Sequence, residues 1–134
     1  MDILWTEDLS TGFDEIDEQH KDLFRQLNDL MLACSQNKGK EEIGRFVCFL
    51  SDYVILHFAT EEREMIAHNY PGYAGHKAEH EQFKIKIAGL KEEFVEYGAS
   101  IDVVLMAVSM SFDWLLQHIK RTDKALGAFL KTHP

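Results

Sequence analysis

Proline occurs at only two positions of this chain, Pro71 and Pro134. Proline removes a backbone donor and breaks helix interiors, so its near absence leaves room for long helices. The apolar residues fill that room with a helical period. Ile16, Leu23, Phe24, Leu27, Leu30 and Met31 form a first stripe. It is expected to begin at an Asp14 or Asp17 cap and to fade at Asn37, Lys38 and Gly39. Ile43, Phe46, Val47, Leu50, Val54 and Met65 form a second stripe. It stops before Tyr70 and Pro71, because a residue preceding proline avoids the helical region. Tyr73, Phe83, Ile87, Leu90 and Phe94 form a third, ending at Gly98. Ser100 is placed to cap a fourth helix carrying Val104, Ala107, Trp114 and Leu115, and a short tail helix is expected from Lys124 to Lys131. Short connections near 38–40 and 69–72 favour antiparallel neighbours. The sequence therefore predicts an all-α fold. It is an antiparallel up-down-up-down four-helix bundle with an N-terminal arm and a short C-terminal helix. The arm, residues 1 to about 15, is expected to be tied down by Trp5 and Phe13.

A chain of 134 residues, 46% hydrophobic, matches one domain with a sizeable core. Lys plus Arg number 14 and Asp plus Glu number 23, a formal net charge of -9. That balance argues against nucleic acid, whose phosphates need a basic face, and against an anionic membrane surface. The longest unbroken apolar run, Val103 to Val108, is far below the roughly 20 residues of a membrane span. The acidic N-terminus lacks the basic and apolar regions of a signal peptide. Two cysteines, Cys34 and Cys48, are too few for a disulfide framework and read as free thiols in a reducing cytoplasm. The apolar stripes are consumed by one bundle, so a monomer is expected.

The informative residues are the polar ones inside the stripes. His20 sits four after Ile16 and three before Leu23; His57 and Glu61 continue the line of Leu50 and Val54. His76 and His80 lie between Tyr73 and Phe83, and His118 follows Trp114 by four. Residues four apart share a helix face, so His57/Glu61 and His76/His80 each point at a common object. Burying five imidazoles and a carboxylate without partners is costly, and a metal satisfies them together. Antiparallel helices also bring these positions to one depth. Five histidines and Glu61 exceed a single tetrahedral ion, and neither cysteine lies on these stripes. Carboxylates bridge metal pairs, and Asp123 is the second candidate bridge. It lies five after His118, so the helix must end, tighten or bulge between them.

These residues resemble the hemerythrin family, specifically its single-domain bacterial members. The resemblance runs from Trp5 to about Gly127. It is carried by the stretch from Gly12 to His20, by His57 to Glu62, by His76 to His80 and by His118 to Lys124. It implies that residues 1–134 form a single di-iron domain for reversible dioxygen binding, in storage, delivery or sensing. The cofactor implied is a pair of non-haem irons bridged by an oxo or hydroxo group. His76, His80 and His118 would hold one iron, His20 and His57 the other, and Glu61 and Asp123 would bridge. That leaves the second iron a position short, where dioxygen would bind, or azide in the ferric state. A dry pocket of Leu23, Phe58, Trp114, Leu115 and Ile119 is implied around it.

The chain departs from the family at Leu126, where a tyrosine often stands. His68 reads as a helix-end histidine and His133 as a tail residue. Glu62 points about 100° away from Glu61, and Glu64 is the better geometric competitor of Glu61. The histidine-rich set lacks the Glu-x-x-His pairs of oxygen-activating di-iron bundles, which favours binding over enzymatic turnover. The rivals are a di-iron enzyme handling peroxide or nitric oxide and an oxygen-responsive signalling partner.

Overall fold

The computed structural model describes residues 3–133, so the first two residues of the expected arm lie outside the described residues. The arm contains one 3-10 turn, Glu7–Leu9. Four long elements follow: α1 (Asp14–Ser35), α2 (Gly39–Ala67), α3 (Tyr73–Tyr97) and α4 (Ile101–Trp114). The last continues without a turn through a π-helical segment, Leu115–Asp123, into α5 (Lys124–Thr132). Consecutive helices pack side by side as the short connections require, giving the antiparallel four-helix bundle.

The helix exits show why the boundaries fall where they do. After α1, Asn37 adopts a positive φ of 60°, and Lys38 N–H donates to Ala33 O at 2.7 Å. After α2, Asn69 does the same at 53°, with Tyr70 N–H on Met65 O at 2.9 Å. Both are Schellman motifs with asparagine in the left-handed position. At the start of α4, Ser100 caps as expected, its Oγ accepting from Val103 N–H at 3.2 Å.

The expected cap of α1 is corrected. The N-cap position is Phe13, which offers no side-chain acceptor. Asp14 is already helical, and Asp17 is turned back to the arm. The Asp17 carboxylate accepts from Thr11 N–H at 2.8 Å, Thr11 Oγ at 2.9 Å and Ser10 Oγ at 2.6 Å. Here the arm outcompetes the helix end for the carboxylate. Trp5 packs against the main core under the Lys21 ammonium, and Phe13 packs beside Met65, Leu126 and Leu130. The arm is clamped again by Gly127: a Cβ there would lie 2.8 Å from Thr11 Cα. Cys34 is half-buried and Cys48 exposed, and both are free.

By length and composition alone, α2 is apolar enough to cross a membrane, although no long unbroken apolar run marks it. Half of its most apolar window is buried inside the bundle, the pattern of a core helix. The core divides in two. A main cluster includes Leu27, Phe46, Leu50, Phe58 and Leu90, and a smaller one is built on Met65, Leu126 and Leu130. The buried polar residues interrupt the helices between these clusters.

Candidate metal centre

Glu61 is fully buried near the C-terminal end of α2, and five imidazoles surround it. Its two oxygens face opposite ways. Oε2 lies 2.8 Å from His57 Nε2 and 3.2 Å from His20 Nε2. Oε1 lies 3.0 Å from His80 Nε2, 3.1 Å from His76 Nε2 and 4.0 Å from His118 Nε2. Asp123 divides the same way: Oδ2 is 2.9 Å from His20 Nε2, while Oδ1 is 2.9 Å from His76 and 3.0 Å from His118. The donors thus sort into two groups that share both carboxylates. One is His20 and His57; the other is His76, His80 and His118. Within each group the ligand-type atoms all lie within 4.8 Å of one another.

The donor set fits a pair of cations. His57 Nε2, His118 Nε2 and both Asp123 oxygens are buried without a hydrogen bond of proper geometry, although opposite atoms stand close. Their lone pairs aim at shared space rather than at each other. Leaving such groups unmatched costs several kcal/mol, on the order of 1–3 each. Two cations between shared carboxylates would satisfy all of them.

The π segment makes the Asp123 position possible. Five residues along an α-helix turn a side chain away from the first face. The wider π turn, with its i to i+5 hydrogen bonding, brings His118 and Asp123 together. The irregularity expected between His118 and Asp123 is present, but it starts earlier, at Leu115.

The burial and charge of this cluster set its protonation when no metal is bound. Burial disfavours the charged form of His20, but Asp123 and Glu61 outweigh it and raise the imidazole to about 9. His76 is raised to about 9 against the same burial cost. His118 is raised to about 10, chiefly by Asp123. For His57 burial wins, and its pKa is lowered. Burial pushes Glu61 and Asp123 up, but the surrounding imidazoles hold both below the usual carboxylate range. Protons thus stand in for positive charge that a metal would supply, and metal binding would release them.

A second layer fixes the imidazoles, and sequence reasoning missed it. His57 Nδ1 lies 2.7 Å from Gln19 Oε1. His80 Nδ1 lies 2.8 Å from Glu62 Oε2. His118 Nδ1 lies 2.8 Å from Glu79 Oε1, which also accepts from Thr122 Oγ at 2.8 Å. Each acceptor places the proton on Nδ1 and points Nε2 inward. The available signal was adjacency. Gln19 precedes His20, Glu62 follows Glu61 and Glu79 precedes His80. A step of one residue turns a side chain about 100°, so each of them reaches a histidine of the neighbouring helix.

The residues expected around the open iron are all buried in one core cluster. Phe58 stacks on His80 (3.9 Å between ring centroids) and Trp114 on His118 (3.8 Å), so both aromatics lie against the three-histidine group. Leu23, Leu115 and Ile119 are buried in the same cluster. Tyr53, which the sequence did not single out, stacks on His57 at 4.7 Å. Two surface grooves of about 140 Å³ flank the centre. One, beside Gln19, Tyr53 and His57, lies between α1 and α2; the other, beside Glu79, Trp114 and His118, lies between α3 and α4.

The competitors stay outside. His68 Nδ1 bonds the Glu64 backbone oxygen at 2.9 Å, as a helix-end histidine should. Glu64 faces Arg63 and His68 rather than the cluster. His133 stacks on Phe129. Leu126 is buried in the smaller core cluster.

A bundle whose four helices close over a shared set of buried histidines and carboxylates defines a metal-binding helical-bundle protein. The family profile described as "Hemerythrin HHE cation binding domain" matches residues 11–130, and the chain belongs to the hemerythrin family. It is 33% identical over 131 residues to the bacteriohemerythrin of Stenotrophomonas maltophilia, covering 98% of this chain and 83% of that protein. It is 34% identical over 127 residues to the bacteriohemerythrin of Methylococcus capsulatus, covering 94% and 95%. Myohemerythrin-1 of Phascolopsis gouldii is 30% identical over 120 residues, covering 90% and 87%. Among solved structures, a wild-type hemerythrin crystal structure superposes with a TM-score of 0.75 at 30% identity, covering 96% of this chain and 97% of that one.

Proposed function

We propose that this chain is a single di-iron domain that binds dioxygen reversibly, for storage, delivery or sensing. The observation that carries the reading is the division of each buried carboxylate, Glu61 and Asp123, between a two-imidazole group and a three-imidazole group. His20 and His57 are the proposed ligands of one iron, and His76, His80 and His118 those of the other. Glu61 and Asp123 are the proposed bridges, with an oxo or hydroxo group beside them. When bound, the iron pair supplies the electrons and the binding site for dioxygen.

The chain's own residues do the rest. Three imidazoles on one side and two on the other leave the His20/His57 side one protein ligand short. The Nδ1 partners Gln19, Glu62 and Glu79 orient His57, His80 and His118. Leu23, Phe58, Trp114, Leu115 and Ile119 exclude water, which slows loss of the ligand in protonated form. No side chain is assigned as a general base, so the reading makes the protein a binder rather than an enzyme. A monomer in the cytoplasm, without nucleic acid or membrane as partner, completes it. The net charge of -9 supports the absence of both partners.

The test is visible absorption of an anaerobically reduced, iron-loaded sample. Admitting air should produce a new absorption band, and degassing should remove it through repeated cycles. A band that forms once and decays to ferric protein without reversal rejects reversible binding. Consumption of peroxide or nitric oxide with a defined electron donor would replace it with the enzyme reading.

A further inference from the structure

Tyr53 is a buried polar group that neither the bundle nor the proposed ligand set explains. Its residue is 5% exposed, and its hydroxyl is buried without a hydrogen-bond partner. An unmatched buried hydroxyl is a cost that folding alone does not repay. The ring is held in place. It lies one turn before His57 on α2, stacks nearly parallel on the His57 imidazole (4.7 Å, 16°) and meets Phe58 edge-on at 6.4 Å. The neighbouring imidazole is itself oriented. Gln19 holds its Nδ1 edge toward α1, so Nε2 faces Glu61. A phenol keeps its proton at neutral pH, so the hydroxyl is a donor. Over the three-histidine group, His80 is covered by Phe58, which carries no donor, and His118 by Trp114, whose Nε1 is likewise buried without a partner.

From this placement, and resting on the functional reading above, we propose that the Tyr53 hydroxyl donates a hydrogen bond to the small exogenous ligand bound on the His20/His57 side. The ligand class is a small electron-rich molecule, dioxygen in the reduced protein or an anion such as azide in the ferric protein. No proton or electron is transferred in this step; the phenol only shares its hydrogen. Tyr53 is then a specificity-determining residue, since it rewards ligands that carry negative charge on the atom it faces. A ligand that offers no acceptor there leaves the phenol unmatched.

The test compares wild-type protein, Tyr53→Phe and Ser111→Ala. Ser111 is the control, a second buried hydroxyl of the same bundle without a partner. Three readouts are taken: iron per chain, azide affinity of the ferric protein, and thermal midpoint of the iron-free chain. Tyr53→Phe should keep two irons and should melt no lower than wild type when iron-free, because no folding contact is lost. Its azide affinity should fall about ten-fold, the scale of one hydrogen bond to a charged group. Ser111→Ala should bind azide like wild type. In wild type the infrared azide stretch should shift between H₂O and D₂O, and Tyr53→Phe should abolish that shift. Equal azide affinity in wild type and Tyr53→Phe, both with two irons, overturns the role of Tyr53 and leaves the di-iron reading standing. A lower melting point of iron-free Tyr53→Phe with unchanged azide binding overturns it in favour of a structural hydroxyl. If wild type itself fails to hold two irons, the functional reading falls and the proposal falls with it.

Discussion

The two halves of the centre differ in more than their number of imidazoles. On the α1/α2 side, His57 is backed by the neutral amide of Gln19, while His20 Nδ1 has no partner. On the α3/π-segment side, His76 Nδ1 likewise has no partner, but His80 and His118 are backed by the carboxylates of Glu62 and Glu79. A carboxylate behind an imidazole raises its basicity as a ligand, and an amide orients it without adding charge. The aromatic covers differ too, with a phenol over His57 and plain or indole rings over His80 and His118. Under the proposed function the difference is a division of labour: one half would hold its metal firmly, and the other would leave it a position with a phenol as neighbour. The shared carboxylates join the two.

The comparison is broken most completely at the joint. Glu61→Ala removes the carboxylate that both groups share, and the vacated space is fully buried. The expected result is loss of the paired site, with iron falling from two per chain to one or none by elemental analysis. Two irons retained at full occupancy would show that the halves do not depend on Glu61.

The comparison is sharpened by exchanging the backing groups. Glu79→Gln should weaken iron retention by about 10- to 100-fold, the usual cost of losing such a partner. The lower figure is the better guide, because Glu79 is 41% exposed and solvent screens its charge. Gln19→Glu should act in the opposite sense on the other half. Release of iron to a chelator measures both. Changes in the same direction for the two variants would mean that charge behind the imidazole is not what separates the halves.

The smallest effect concerns protons. His20 and His76 are raised to about 9 and His118 to about 10 in the metal-free cluster. A histidine whose folded pKa is raised stabilises the fold fully below about pH 6.5, and that contribution is lost as the pH rises through 9 to 10. His57 is lowered and runs the other way, its contribution being lost as the pH falls. Glu61 and Asp123 are lowered as well, so their contribution fades only in acid. The metal-free chain should therefore melt at least about 5 °C lower at pH 9.5 than at pH 7. The iron-loaded chain should change less, because metal has replaced the protons. Equal losses in both forms would place the pH dependence outside the centre.

Much of this arrangement is legible in the amino-acid order. The helix boundaries follow from Pro71, from the Asn37/Gly39 and Gly98 signals and from the Ser100 cap. Six of the seven candidate ligands follow from polar residues on apolar stripes, and Asp123 is the exception. The five-residue gap from His118 to Asp123 requires a helical irregularity, and the π segment is that irregularity. Other features are out of its reach. Asp17 has the residue type and position of a helix-start signal, yet it serves the arm, since Ser10 and Thr11 compete for the same oxygens. The π segment begins at Leu115, before His118, because its extent depends on packing along the whole helix.

The sequence by itself determined the period, and the period alone decides which residues of one helix look inward together. It therefore determined the all-α bundle and the common depth of His20, His57, Glu61, His76, His80 and His118, while Asp123 joins them only through the π segment. Only the tertiary structure decided how the helices are rotated against each other. That rotation sends Gln19, Glu62 and Glu79 to histidines on neighbouring helices and lays Tyr53 over His57. It also turns one oxygen of each shared carboxylate toward each half. The physical reason is that spacing along one helix is local and set by backbone geometry, whereas contacts across an interface are set by how two side-chain surfaces interlock.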